Sequence, residues 1–185
     1  MDLYERALEL REETVAHCRW LHKNAEAGLQ MPKGQSYVME QLRGYDLDPH
    51  PCGHGVTAEP GREGGRTILL RADMDALPMP EESGESFACP TGTEAHACGH
   101  DLHAAMLLTA AKMLKEKETV LSGRVRFMFR PAEETFEGAK DEMAGYMDER
   151  GDAPAHNPKV QFNEDVCPIG SACLAHCAVR WLEEH

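Results

Sequence analysis

The sequence predicts an α/β fold of layered helices and strands, and three observations predict it. Residues 67–70 and 124–129 read as short strands, and an amphipathic helical run lies between them. Helical spacing of apolar residues recurs towards both ends of the chain. Strands that alternate with helices are the pattern of a layered α/β domain. At 185 residues the chain is long enough for one domain with a real core and short for two, so residues 1–185 are expected to form a single domain.

Each element follows from its local pattern. Over residues 3–23, Leu3, Ala7, Leu8, Leu10, Val15, Cys18 and Leu21 fall at mostly helical spacing, with Gly28 as a stop beyond them. Residues 34–44 predict a second, short helix closed by Gly44. Residues 56–58 and 67–70 read as the two arms of a β-hairpin around a glycine-rich loop. Residues 77–95 hold prolines, glycines and serines without a period and read as loop. Asp101 is placed to N-cap a helix from Leu102 to about residue 117, with Leu102, Met106, Ala110, Met113 and Leu114 as its apolar stripe. Val125, Phe127 and Phe129 alternate with Arg124, Arg126 and Met128, which is a half-buried strand stopped by Pro131. The polar stretch that follows allows a helical turn or two over 137–146, and a last helix starts with Pro168 near its first position.

Composition narrows the class of function. Apolar residues make up 42% and charged residues 28%, ordinary for a soluble globular chain. The formal net charge of −13 disfavours nucleic acid and anionic membrane as partners, because both want Lys/Arg patches. No window reaches the roughly 18 apolar residues of a membrane span. The first residues are charged and amphipathic, without the apolar core of a signal peptide. Seven cysteines, an odd number without repeat spacing, read as reduced thiols, so a cytoplasmic location is the expectation.

The chemistry gathers at two strand ends and one helix start. Open α/β sheets carry their sites beyond the carboxyl ends of strands. The strand at 67–70 runs into Asp73 and Asp75, and the strand at 124–129 runs into Glu133 and Glu134. If the strands are parallel neighbours, four carboxylates converge on one rim, where they repel unless a cation sits among them. Cys98 and His100, with His103 and His96 nearby, could supply sulfur and imidazole donors. Such a mixed set suits Zn²⁺, Mn²⁺ or Co²⁺ better than Mg²⁺ or Ca²⁺. Of two adjacent glutamates, one can bind metal while the other takes a proton from water. Plainer readings stand beside these. Asp73 and Asp75 could cap a turn, and Glu133 and Glu134 could open a helix after Pro131. The "CGHG" segment at 52–55 repeats the C-x-H pattern with no acid pair beside it. Cys173, His176 and Cys177 fall at helical spacing and read as core packing.

Four segments in order, "LLRADMDALPMPEESG", "HACGHDLHAAMLLTAAKML", "GRVRFMFRPAEETFEGAK" and "AHNPKVQFNEDVCPIGSACLAH", resemble the M20 family of metal-dependent aminoacylases and amidohydrolases. The nearest branch cleaves N-acyl amino acids, including hippurate-type and auxin-conjugate substrates. The resemblance implies a three-layer α/β/α catalytic domain of the zinc-peptidase type. It implies Cys98, His100, Glu134 and His156 as metal ligands, Glu133 as the general base and Asp75 as the acid that orients a ligand. It implies a pair of divalent ions (Zn, Mn, Co or Ni) and a small N-acyl amino acid or peptide substrate.

The likeness also has breaks. After "EGAK" the family continues through a strand with another histidine ligand and then inserts a lid domain, whereas here residues 1–140 join directly to a C-terminal part, 141–185. The expectation is an internally truncated catalytic domain with the lid domain absent, holding two ions or only one. Sheet edges left open by missing strands would favour a homo-oligomer. Arg130 stands where the family commonly has glutamine, and a guanidinium there would favour ionised carboxylates. Two functions compete: a hydrolase that uses metal-activated water, and an impaired remnant that folds, binds one metal and acts only through association. A structural zinc module is the weakest alternative, because it wants four closed ligands and the "CGHG" and "CGHD" segments are not spaced like a known finger.

Overall fold

The computed structural model describes residues 2–62, 65–137, 164 and 167–184. The expected helix over 3–23 is two helices, α1 (Leu3–Glu9) and α2 (Arg11–Lys23), bent at Leu10, whose φ of −89° and ψ of 3° leave the helical region. The bend has a packing cause: α1 lies mainly on the C-terminal helix, whereas α2 lies on the helix over residues 100–116. α3 (Pro32–Gly44) opens on Pro32, where a missing N–H is harmless. Its first free donors, the N–H groups of Lys33 and Gly34, reach the Glu26 carboxylate at 3.0 and 2.9 Å.

Among the described residues four strands form an open mixed sheet in the order β1–β2–β4–β3: β1 (His50–Cys52), β2 (Gly55–Ala58), β3 (Thr67–Asp73) and β4 (Arg124–Arg130). β3 and β4 are parallel with Leu70 opposite Phe127, and α4 (His100–Glu116) is the crossover between them. The expected hairpin of 56–58 with 67–70 is not made. β4 lies between those strands and pairs with β2 antiparallel, Val56 opposite Phe129. A glycine-rich connector signals a turn locally, but β4, with three inward apolar residues, is the strand that gains most from a central place. The true hairpin is β1–β2, turned at Gly53 with φ of +56°. That turn is the "CGHG" segment, and it accounts for the glycine at 53.

One core binds the elements together. Leu70, Ala72, Val125, Phe127 and Phe129 point inward from the sheet against Leu107, Leu108, Met113 and Leu114 of α4, and the same cluster takes in residues of α1, α2 and α3. Leu69, Arg71 and Arg126, on the alternate face, are exposed. The α/β class and the open sheet are as expected, and among the described residues the helices pack on the inner face. No described helix is long and apolar enough to cross a membrane.

Two further expectations are corrected. α4 starts at His100, and its N-cap is Gly99 in the left-handed region at φ +83°, not Asp101. Asp101 is 1% exposed because its carboxylate turns inward, away from the cap position. In α5 (Cys167–Glu184) the core-facing stripe is Ser171, Ala172, Ala175, Ala178 and Leu182, while Cys173, His176 and Cys177 are exposed rather than packed in the core. Small residues let α5 approach α4 closely: a Cβ at Gly170 would sit 2.0 Å from the Met106 sulfur. The helical turns expected over 137–146 fall, from residue 138 onward, outside the described residues, as does His156.

Candidate metal centre

The site assembles where three chain segments meet at the carboxyl edge of the parallel pair. Asp73 and Arg130 are register partners at the ends of β3 and β4. The Met74 N–H extends the ladder by donating to the Arg130 carbonyl at 2.8 Å, so Asp75 and the tandem glutamates leave the same rim. Ala132 is fully buried with φ of +55°. A left-handed alanine is strained by about 1–2 kcal/mol. The turn it makes carries the chain into Glu134, whose N–H donates to Asp75 Oδ2 at 3.1 Å. The third segment is the loop before α4, where left-handed Gly99 separates Cys98 from His100.

The imidazole of His100 is the hub. It is 3% exposed, and its Nδ1–H donates to the backbone carbonyl of Asp75 at 2.9 Å, with Asp75 Oδ1 at 3.4 Å. A donor at Nδ1 leaves Nε2 for the other side, where it lies 3.9 Å from Glu133 Oε2 and 3.9 Å from Glu134 Oε1. Cys98, His100 and Glu134 each offer one donor atom, and these atoms lie within 4.8 Å of one another.

Charges at the site oppose one another. Burial, then hydrogen bonding to Glu134 and the nearby carboxylates, pushes the Cys98 thiol up to about 12. Burial, then the charges of Asp73 and Glu134, holds the Glu133 carboxyl above its ordinary value. Burial opposes ionisation of Asp75, but the bonds from His100 and from the N–H groups of Glu134 and Glu133 outweigh it and hold that carboxyl below its ordinary value. Arg130 turns to the other strand end. Its Nε pairs with Asp73 Oδ1 at 3.2 Å, and Arg71 holds Asp73 Oδ2 at 2.5 Å.

This donor set fits a divalent cation. A thiol, an imidazole and a carboxylate converge with a further carboxylate beside them, so negative charge accumulates that a cation relieves. The buried Asp75 stands behind His100, and a carboxylate behind an imidazole is an arrangement that suits a metal ligand. His96 and His103, also expected as donors, are outside that group. His96 is buried, and its burial drives its pKa down to about 4. His103 is exposed, with its ring 5.6 Å from that of His100.

Behind the donors lies a polar cluster that sequence reasoning missed. The His22 Nδ1–H donates to Asp101 Oδ2 at 2.7 Å and its Nε2–H to Glu81 Oε1 at 2.9 Å. The Cys18 thiol also points at Asp101 Oδ2, at 3.5 Å. Burial opposes the charge on His22, but the two carboxylates outweigh it and raise its pKa to about 9. The cluster ties α2 and the 77–95 loop to the first turn of α4, next to His100. A histidine in a polar helix and a glutamate in a loop carry no periodic signal that could have revealed it.

The class is thus an open-sheet α/β protein whose carboxyl rim gathers sulfur, nitrogen and oxygen donors that could hold a metal ion. The description Peptidase family M20/M25/M40 matches residues 69–165, more than half of the chain, and the chain belongs to that family. It is 40% identical over 146 residues to the N-acyl-L-amino acid amidohydrolase of Geobacillus stearothermophilus, an alignment that covers 76% of this chain and 39% of the relative. A Bacillus subtilis structure described as a dinuclear metal binding peptidase of the M20 family superposes with a TM-score of 0.69 at 34% identity, over 72% of this chain and 38% of that one. A putative aminohydrolase from methicillin-resistant Staphylococcus aureus gives 0.72 at 32% identity, over 76% and 37%. The chain thus spans about two fifths of the length of these relatives.

Proposed function

We propose that this chain carries the metal-binding and proton-transfer groups of a hydrolase that cleaves the amide bond of N-acyl amino acids or small peptides. One observation carries the reading: Cys98, His100 and Glu134 converge, and a second carboxylate, Glu133, stands 3.9 Å from the same imidazole nitrogen. The name of the Geobacillus relative supports the N-acyl amino acid as substrate, and the Bacillus subtilis description supports a small peptide.

Cys98, His100 and Glu134 would hold a divalent ion, zinc, manganese, cobalt or nickel, with His156 as a further ligand. When bound, that ion supplies Lewis acidity to the scissile carbonyl and to water. Glu133 is the base: its carboxylate takes the proton of the attacking water and returns it to the leaving amine. Asp75 is a positioning residue. It holds His100 by Nδ1 and the Glu134 backbone by N–H, so both ligands face one point. Asp75→Asn is therefore expected to weaken metal binding by about 10–100-fold, measured by competition with a chromophoric chelator, with helix content unchanged.

The full chain, loaded with Mn²⁺, Zn²⁺ or Co²⁺, should release free amine from an N-acyl amino acid. A second reading, an impaired chain that folds, holds one ion and acts through association, rests on the sequence after "EGAK", which passes to 141–185 without the family's intermediate histidine. Metal analysis separates the two: a pair of ions with turnover supports the hydrolase, and one ion or none without turnover supports the remnant.

A further inference from the structure

The exposed face of α5 carries donors that the Cys98 centre does not use. Cys173, His176 and Cys177 stand at i, i+3 and i+4, and all three are exposed, while Ala172, Ala175 and Ala178 face the core. Helical residues at these spacings are surface neighbours with Cβ atoms about 5–6 Å apart. A disulfide needs Cβ atoms about 3.5–4.5 Å apart. Two thiols one helical turn apart therefore cannot join without distorting α5. The same gap suits a single ion bridging two sulfurs, since each zinc–thiolate bond is about 2.3 Å long. His176 adds an imidazole on the same face.

The three donors share one groove. These side chains form one wall of a groove of about 270 Å³ between α5 and the start of α1. Leu3 and Ile169 give the groove apolar walls, and Asp2 brings a carboxylate to it. The Asp2 Oδ1 atom accepts the Tyr4 N–H at 3.2 Å, which anchors that carboxylate at the helix start. The net charge of −13 adds a general field that retains cations.

We propose that Cys173, Cys177 and His176 form a second metal site, outside the Cys98 centre, that takes a thiophilic cation of the Zn²⁺ class. The three donors stand further apart than those of the Cys98 group, which lie within 4.8 Å. Exposed side chains close such a distance by rotamer changes on the picosecond-to-nanosecond scale. As each sulfur ligates, its thiol proton passes to solvent, and no redox change is involved.

The test uses the full, reduced chain with Cys98→Ser, which removes the thiol of the first centre. Co²⁺, as a probe for the zinc class, should give an equimolar thiolate-to-cobalt charge-transfer band that Zn²⁺ displaces. Adding Cys173→Ser and Cys177→Ser should weaken that binding roughly tenfold or more. Both positions are exposed, so circular dichroism should show unchanged helix content. Zn²⁺ alone should also shield both thiols from iodoacetamide, read peptide by peptide. Absence of the band in the Cys98→Ser protein overturns the proposal, as does a band that survives loss of both helix thiols.

Discussion

Glu133→Gln is expected to lower the rate of amide hydrolysis by about 10²–10⁴-fold, the usual contribution of a positioned general base. The change keeps the shape of the side chain and removes only its ability to take a proton. Glu133 is the less buried of the tandem, with its side chain 33% exposed against 10% for Glu134, so it is the carboxylate that water can reach. The variant should keep its metal content, because the donors that converge within 4.8 Å are Cys98, His100 and Glu134. Glu134→Gln should instead lose metal and activity together. Single-turnover rates with metal analysis on the same samples separate these outcomes. Activity that survives Glu133→Gln would end its assignment as base. Loss of metal in that variant would exchange the roles of the two glutamates.

Features encoded by local pattern were legible in the sequence. The α4 stripe of Leu102, Met106, Ala110, Met113 and Leu114 and the alternation through β4 are period signals, and both elements are present. The convergence of the two strand ends was legible only as a condition, that the strands be parallel neighbours, and β3 and β4 meet it. Long-range pairing was not legible. Nothing local to residues 56–70 says that β4 inserts between β2 and β3. The direction of Asp101 was hidden for the same reason. A carboxylate just inside a helix start has a default role as a cap, and contacts distant in sequence, with His22 and Cys18 of α2, draw it inward. Cys173, His176 and Cys177 share helical spacing with the alanine stripe of α5, and spacing alone does not say which stripe faces in. The alanines do, because α5 and α4 pack too closely for larger side chains.

The buried triad of His22, Asp101 and Glu81 leads to a prediction about stability and its pH dependence. Asp101 is 1% exposed, and the Glu81 side chain 5%. Their shared counter-ion is His22. Removing one partner of a buried ion pair destabilises by about 3–5 kcal/mol, because the remaining charge loses its counter-ion where water cannot replace it. His22→Ala is expected to fall in that range by urea denaturation at pH 6.5, and Asp101→Asn in the same background should recover part of the loss. The pH dependence follows from the raised pKa. Folding lifts the His22 imidazole from its ordinary 6.5 to about 9, so the folded state holds a proton that the unfolded state has released between those values. The contribution of His22 is therefore complete below the ordinary value, declines through the interval, and is lost above about 9. The parent chain should lose stability steadily from neutral to alkaline pH, and His22→Ala should flatten that decline. The weakening should reach the metal site as well, since Asp101 follows His100 directly and the triad holds the first turn of α4 against α2. An identical pH slope in the two proteins would show that His22 is neutral in the fold. The raised pKa, and the ion pairs that explain it, would then have to be abandoned.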